Sequence, residues 1–391
     1  MKRVLVTAGR FPSGLHMIRN LHKAGLHVVV AENLRPSICE YSKARSAFYY
    51  VPHPILEEVS FIRDILRIVE KEEIDTIIPV FEEGFVLSQN RQRFPATCHI
   101  FFPEITLATK AHDKYAFTEL CRDLGLSVPE TYKISSKDIA AAGQFGRGGF
   151  VLKPVFSRGG SQTRYFDDSS SHCFDLDHDR EYIAQQWIRG QHFCSFGIAH
   201  KGQLSLSVVY EPALTLGHVA ISFRGVHHPE INSWVKTFCS ETNYEGFVSF
   251  DFIQDSSGKL YAIECNPRMT SGVHVCDPAA FNRALIQRLK ASDPLAVQQY
   301  AVKVGLVDRM LQNLRNASEF DKTLKQFLKT RDVMMSFGDP LPALAQFYCY
   351  FMIMRANRNS NRSLVDLVNN RCEWQPSLEL SQGLNATGIS T

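Results

Sequence analysis

Residues 246–268 of this 391-residue chain read GFVSFDFIQDSSGKLYAIECNPR, and no other stretch narrows the possible structures as much. Apolar alternation at Val248, Phe250 and Phe252 predicts a strand, Asp255-Ser256-Ser257-Gly258 is turn chemistry, and Lys259–Glu264 predicts a returning strand. Folding the chain back about that turn brings Asp251 close to Glu264. A carboxylate inside an otherwise apolar strand is costly unless it is paired or bound to a metal. Two of them with the Asn266 amide nearby therefore suggest a divalent cation, and an all-oxygen donor set without Cys or His favours Mg²⁺ or Mn²⁺ over zinc. The alternative is a solvent-facing strand side, since Asp251 shares its parity with Ser249. The run Cys265-Asn266-Pro267-Arg268, which sets an amide and a cation directly after the second acid, favours the metal.

Composition bounds the setting. A chain of this length can bury a large core and holds two to four structural units. Lys and Arg number 43 against 40 Asp and Glu, a balance that gives no sign of a nucleic-acid groove or a polybasic membrane anchor. Ten cysteines without a CxxC pair or zinc spacing read as reduced, buried thiols of a cytoplasmic protein. The start, MKRVLVTAGRFPSG, has too short an apolar run for a signal peptide and reads as a first strand. No membrane span is expected. Leu341–Met354 is the nearest candidate, but it is too short and interrupted by Gln346, so a buried helix is expected there, with interfacial membrane contact as the lesser alternative.

Strand and helix alternate over the first hundred residues. Val4–Thr7, a helix over Gly14–Lys23 and a strand at His27–Ala31 form a parallel βαβ unit, continued by a helix at Ile62–Lys71 and a strand at Ile74–Val80. The loop Ala8–Gly14 is not GxGxxG, so a dinucleotide site there has little support. Glu82 and Glu83 lie beyond the last strand's C-terminal end, where open α/β sheets bind ligands, although acids in such a loop are usually solvated. A helix is expected from Ala111 to Leu124, with Gly125 as its stop. Strands follow at Phe150–Val155 and Thr163–Phe166, then a polar connection over 167–180 whose His172 and His178 have no third ligand at a metal spacing. A strand-rich block runs from Tyr182 to Glu264 with a helix inserted at Pro229–Ser240. Beyond Cys276 the pattern is helical, and Asn385 onward reads as a frayed tail.

Two lysines stand out by context. Lys114 follows Asp113 at the start of a helix, and Lys153 sits inside the apolar run Phe150–Val155. An ammonium within a buried strand requires a partner, either a phosphate or a carboxylate. After Lys153 comes Ser157-Arg158-Gly159-Gly160-Ser161-Gln162, where adjacent glycines let backbone amides approach phosphate oxygens and Arg158 adds charge.

Taken in order, these pieces resemble the ATP-grasp superfamily, which includes biotin carboxylase, carbamoyl-phosphate synthetase and D-alanine:D-alanine ligase, over roughly residues 1 to 285. The motifs are Asp113-Lys114 with Phe117, Leu124-Gly125-Leu126-Ser127-Val128-Pro129-Glu130-Thr131, Val151-Leu152-Lys153-Pro154 with its Gly-rich loop, Gln185-Gln186-Trp187-Ile188-Arg189-Gly190, and Asp251 with Glu264–Arg268. The resemblance implies a mixed α/β and α+β multidomain chain: an N-terminal Rossmann-like pre-ATP-grasp domain (1–108), a small ATP-grasp lobe with linker helix (109–180), a large lobe with the metal site (181–285) and a helical C-terminal region (286–391). It implies that Lys114 and Lys153 reach ATP phosphates and that Ser157, Arg158, Gly159, Gly160 and Ser161 close over them. Gln186, Trp187 and Ile188 would hold adenine, and Asp251, Glu264 and Asn266 one or two Mg²⁺ (or Mn²⁺) ions. Arg268, with Lys153, would act on the transferred phosphoryl group.

The chain departs from the family pattern at Gln186 and at Gln191-His192, positions where acids are frequent, so His192 is left as the side chain able to hydrogen-bond a ribose hydroxyl. Arg224 could anchor a substrate carboxylate, or be a surface arginine. His274 lies in the expected substrate region, where a structural histidine is the alternative. The implied activity is an ATP- and Mg²⁺-dependent, ADP-forming ligase that joins a carboxylate, of amino-acid type, to an amine through an acylphosphate. A bicarbonate-using carboxylase, a carbamoyl-phosphate-type enzyme and a non-catalytic ATP-binding regulator are the rivals. The expected partners are small-molecule carboxylate and amine substrates and no nucleic acid, and the helical tail either packs on the core or joins a second copy in a homo-oligomer.

Overall fold

The first sheet follows from its composition. Val4–Val6, Val28–Val30 and Ile77–Ile78 are fully buried β-branched or aliphatic runs, the pattern of a parallel sheet covered on both faces. In the computed structural model, which describes residues 1–134, 148–157, 162–167, 180–216, 219–291, 294–296, 299–358, 364–369, 372 and 374–376, these runs lie in β1 (Arg3–Thr7), β2 (His27–Glu32) and β4 (Thr76–Ile78). Helix α1 (Pro12–Lys23) links the first two, β3 (Ala47–Tyr50) and α2 (Glu58–Lys71) precede β4, and α3 (Glu83–Gln89) and β5 (His99–Ile100) follow it. All pairings are parallel, in the order β3-β2-β1-β4-β5. Both β3 and β5 were unexpected, being short edge strands with little periodicity to read.

The helix expected over Ala111–Leu124 is interrupted. It forms as α4 (Ile105–His112) and α5 (Lys114–Asp123), because Asp113 is extended and its carboxylate accepts hydrogen bonds from the amides of Tyr115 and Ala116. Gly125 ends α5 at φ +66°, as expected for a left-handed stop. A small antiparallel sheet follows, formed by β6 (Thr131–Ile134), β7 (Phe150–Pro154), β8 (Arg164–Phe166) and β9 (Tyr182–Gln186) in the order β6-β9-β7-β8.

The large sheet contains β10 (Gly190–His200), β11 (Gln203–Leu216), β12 (Val219–Val226), β13 (Gly246–Asp255) and β14 (Leu260–Asn266), with α6 (Pro229–Glu241) inserted as expected. Beyond a 3-10 turn at Ser271–Val275 come α7 (Pro278–Gln287), β15 (Tyr300–Ala301), α8 (Lys303–Gln312), α9 (Ala317–Lys329), β16 (Arg331–Asp332), α10 (Leu341–Ala356) and α11 (Leu364–Asn369). The sheet order is β14-β13-β10-β11-β12-β15-β16. One face packs Trp234, Phe238, Phe117 and Phe250 against α5 and α6. The other packs Phe196, Ile198 and Val208 into the core that also holds Leu15 and Ile18 of α1. The first sheet is thus docked, through α1, onto the back of the large one.

Helix α10 departs from the expectation of a buried helix: Ala343, Cys349 and Ile353 are buried, while Leu344, Phe347 and Phe351 face outward. Among the described residues, no helix is long and apolar enough to cross a membrane.

Candidate functional site

The hairpin β13–β14 brings its two acids together only through an irregularity. Phe252 pairs with Ala262, but Asp251 pairs with Glu264, so Ile263 is an extra residue on β14. Opposed residues of an antiparallel pair share a face. Without the bulge Glu264 would oppose Phe250 and point at the aromatic core; with it, Glu264 stands beside Asp251. The Ala262 amide, released from the ladder, donates to the Ser127 carbonyl at 3.1 Å.

Around this pair the side chains converge from four elements. At the first residue of α5, Lys114 Nζ donates to the Ser157 carbonyl at 2.7 Å and lies 3.9 Å from Glu264 Oε2. Asn266 Nδ2 donates to Glu264 Oε1 at 3.4 Å, and Arg268 Nη2 donates to Asn266 Oδ1 at 3.1 Å. Lys153, on the central strand β7, is buried and makes no side-chain hydrogen bond among the described residues. Burial pushes its ammonium down to about 8 against the pull of Glu264, and Lys114 adds repulsion. Burial and then the Glu264 charge push the Asp251 carboxyl up, while Lys114, the Asp251 hydrogen bond and Lys153 outweigh burial and hold Glu264 down. The two acids therefore share one negative charge beneath two ammonium groups.

Four neighbours were not assigned to this site from the sequence. Cys194 pairs across the ladder with both Asp251 and Tyr210, and its thiol contacts the Asp251 carboxyl. Ser249 and Thr270 hydroxyls meet at 2.9 Å just beyond. Glu82 is buried rather than solvated: it lies 3.6 Å from Arg268 Nε and accepts the Trp374 amide at 2.8 Å. Glu83 is buried too, accepting from the Thr7 hydroxyl at 2.6 Å and from the amides of Val80 and Phe81. The sequence signal for Glu82 was its place after β4; for Cys194 there was none, since its value comes from the register of β10.

The remaining candidates divide. Ser157 offers its carbonyl to Lys114, whereas Arg158, Gly159, Gly160 and Ser161 lie outside the described residues. Gln186 ends β9, with its amide donating to the Glu130 carbonyl at 2.8 Å. Trp187 packs against Tyr165, ring centroids 5.1 Å apart, and Ile188 is buried. His192 lies on the Asp251 face of the sheet, two residues before Cys194. Arg224 does not reach this site. It pairs with Glu211, one residue along from Tyr210 and hence on the opposite face, where its Nε donates to Glu211 Oε2 at 2.9 Å. His274 is not open to a ligand either, since it is buried between His16 and Phe223, and desolvation holds it well below the usual imidazole range.

Residues 111–272 match the ATP-grasp domain family. The chain thus carries an ATP-grasp domain over those residues. No curated protein sequence matches it. Among solved structures, the fold is similar to the biotin carboxylase domain of Hydrogenobacter thermophilus 2-oxoglutarate carboxylase in complex with MgADP and bicarbonate (TM-score 0.60, 15% identity, covering 76% of this chain and 73% of that one). It is similar to carboxyaminoimidazole ribonucleotide synthase from Aspergillus clavatus complexed with ATP (TM-score 0.58, 14%, 76% and 80%). A third is N5-carboxyaminoimidazole synthetase from Staphylococcus aureus complexed with ADP (TM-score 0.60, 15%, 76% and 82%).

Proposed function

We propose that the protein is an ATP- and Mg²⁺-dependent ligase that activates a carboxylate, of amino-acid type, as its acylphosphate and passes the acyl group to an amine, releasing ADP and phosphate. The observation that carries this reading is the convergence of Lys114, Lys153 and Arg268 on the Asp251–Glu264 pair with Asn266 beside it. The set fits the groups it would bind. Lys153 is buried without a hydrogen-bonding partner among the described residues, and two acids share a charge that a divalent cation would make whole. Among the described residues no cluster of three or more His, Cys, Asp or Glu forms, so a bound ion would complete its shell with Asn266 Oδ1, water and phosphate oxygens, as Mg²⁺ commonly does.

When bound, MgATP supplies a phosphoryl group whose transfer turns a poor electrophile into a good one. The chain's part is binding and charge compensation. Lys114 and Lys153 hold phosphate oxygens, and Asp251, Glu264 and Asn266 hold the metal. Arg268, braced by Asn266 and Glu82, faces the charge that develops on the transferred group. Ser157 to Gln162 covers the phosphates; Gln186, Trp187 and Ile188 take the adenine, and His192 a ribose hydroxyl. We divide the chain as 1–108 (Rossmann-like), 109–180 (small lobe), 181–285 (large lobe) and 286–391 (helical region). The free and mostly buried thiols support a cytoplasmic setting.

A second reading has bicarbonate as the carboxylate, supported by the carboxylase and carboxyaminoimidazole synthase neighbours. A nucleotide-release screen with amino-acid pools, with and without bicarbonate, separates the two. ADP with an amide product in the mass spectrum supports ligation and ADP with a carboxylated product supports the second reading. AMP would overturn the acylphosphate route, and ATP binding without turnover would indicate a regulator.

A further inference from the structure

Helix α10 is apolar on two sides, and only one of them has a partner. Pro342, Ala343, Cys349 and Ile353 are buried, with the 3-10 turn Ile38–Tyr41 among their neighbours. On the other side Leu341, Leu344, Phe347, Tyr348, Phe351 and Met354 remain 50–63% exposed. Positions 341, 344, 348 and 351 alternate steps of three and four, the spacing of a helix-pairing seam, and the fully exposed Phe337 lies in the turn just before the helix. With roughly 150–250 Å² for a whole aromatic side chain, the patch amounts to on the order of 800 Å². That is more than a monomer usually leaves open and about what each partner contributes to a standard protein interface. The seam is also held rigidly. Arg19 donates through Nε to Asp339 Oδ2 at 2.9 Å and through Nη1 to the Met334 carbonyl at 2.9 Å, and the Ser42 hydroxyl donates to Asp339 at 2.6 Å.

We propose that this face is a homodimer interface in which α10 packs antiparallel against α10 of a second copy about a two-fold axis. Aromatic and Met side chains without charge are the composition of an interface core. A helix lying on an anionic membrane would carry basic residues along its polar face, whereas α10 has a single one, Arg355, in its last turn. The tail 377–391 is mostly small and polar, SLELSQGLNATGIST, and offers no matching stripe. Direction follows from Arg355, the one charged residue of α10. In a parallel pair it would meet its own copy. In an antiparallel pair the two copies of Arg355 lie at opposite ends of the seam, and the helix dipoles oppose.

Light scattering and sedimentation of the full chain over a wide concentration range test this. The expected mass is that of two chains, falling twofold in Phe351→Glu, whose exposed site leaves the circular dichroism spectrum unchanged, and retained in Leu56→Glu, an exposed leucine outside α10. Under oxidation, a mixture of Leu341→Cys and Met354→Cys chains should form a mixed disulfide dimer. A wild-type monomer throughout, or a dimer that survives Phe351→Glu, overturns the proposal. So does a monomer that binds anionic phospholipid vesicles through this face, a monomer that dimerises only after removal of 377–391, or self-linking of Leu341→Cys alone.

Discussion

Lys153 is the residue whose chemistry the surrounding structure leaves most incomplete: buried on a central strand, drawn down to about 8, and facing carboxylates it does not hydrogen-bond. Lys153→Met keeps the apolar stem and removes the charge, so ADP release should fall by about 10²–10³-fold, the usual loss of one preorganised electrostatic group, with the urea midpoint nearly unchanged. Glu264→Gln should do the same by breaking the shared charge with Asp251. Turnover like wild type in either variant, measured by coupled ADP release, removes the site assignment. A second residue-scale consequence concerns His16 and His274, whose rings meet at 5.2 Å in the core. Burial, then Arg19 and Lys23, lower His16 from 6.5 to about 4, and burial and His16 lower His274. A depressed folded pKa means that the unfolded chain takes up protons the folded one refuses. Stability is therefore intact above pH 6.5 and lost as pH falls toward 4, by about 3 kcal/mol for His16 alone. Urea midpoints between pH 7 and 4 should show this slope, flattened in His16→Phe; an equal slope in that variant would assign the acid sensitivity elsewhere.

At the scale of elements, two short irregularities make the site, and neither is a matter of hydrophobic pattern. The bulge at Ile263 turns Glu264 toward Asp251, and the cap at Asp113 places Lys114 at the head of α5. The longer strands, α1 and the inserted α6 were legible because periodicity and turn residues encode them directly. The proximity of Asp251 and Glu264 was legible only in outline, because simple alternation from the Asp255–Gly258 turn would set Glu264 opposite Phe250. Asp113 was placed at the start of a helix beginning at Ala111, and its capping role was missed because one extended residue does not disturb the apolar spacing of Ala108, Ala111 and Phe117. Arg224 was left open between a substrate anchor and a surface arginine for a related reason: which face a strand residue takes depends on a register that local sequence does not report. Asp113→Ala should cost about 1 kcal/mol through the lost cap and, by loosening Lys114, raise the KM for ATP, while Asp113→Asn retains most of both. Equal urea midpoints for Asp113→Ala and wild type would show that the cap contributes nothing.

Across the whole molecule, the segment around Val368 and Trp374 returns to the first sheet beside the site. Arg10, paired with Glu32 at 2.6 Å, donates through Nε to the Val368 carbonyl at 2.8 Å. Trp374 stacks on Phe85, centroids 4.4 Å apart and planes within 8°, and its amide donates to Glu82. Glu82 in turn faces Arg268, so the Trp374 segment, the C-terminal edge of the first sheet and the large-sheet site are joined through one carboxylate. None of this was legible in sequence, where residues near 374 fell in a stretch read only as helical and the contacts span almost the full chain length. The connection predicts two separable effects of Trp374→Ala. The lost burial and stacking should lower stability by about 3–5 kcal/mol, the range for a large buried aromatic, read from urea unfolding. Release of the Trp374 segment also leaves Glu82 free to draw closer to Arg268, which should lower the rate of ADP formation more than ATP affinity. Trp374→Phe, which keeps a ring on Phe85 and the backbone amide on Glu82, should restore the rate and most of the stability. A Trp374→Ala protein that is destabilised yet fully active under native conditions would show that the Trp374 segment braces the first sheet alone, and that Arg268 is positioned without it.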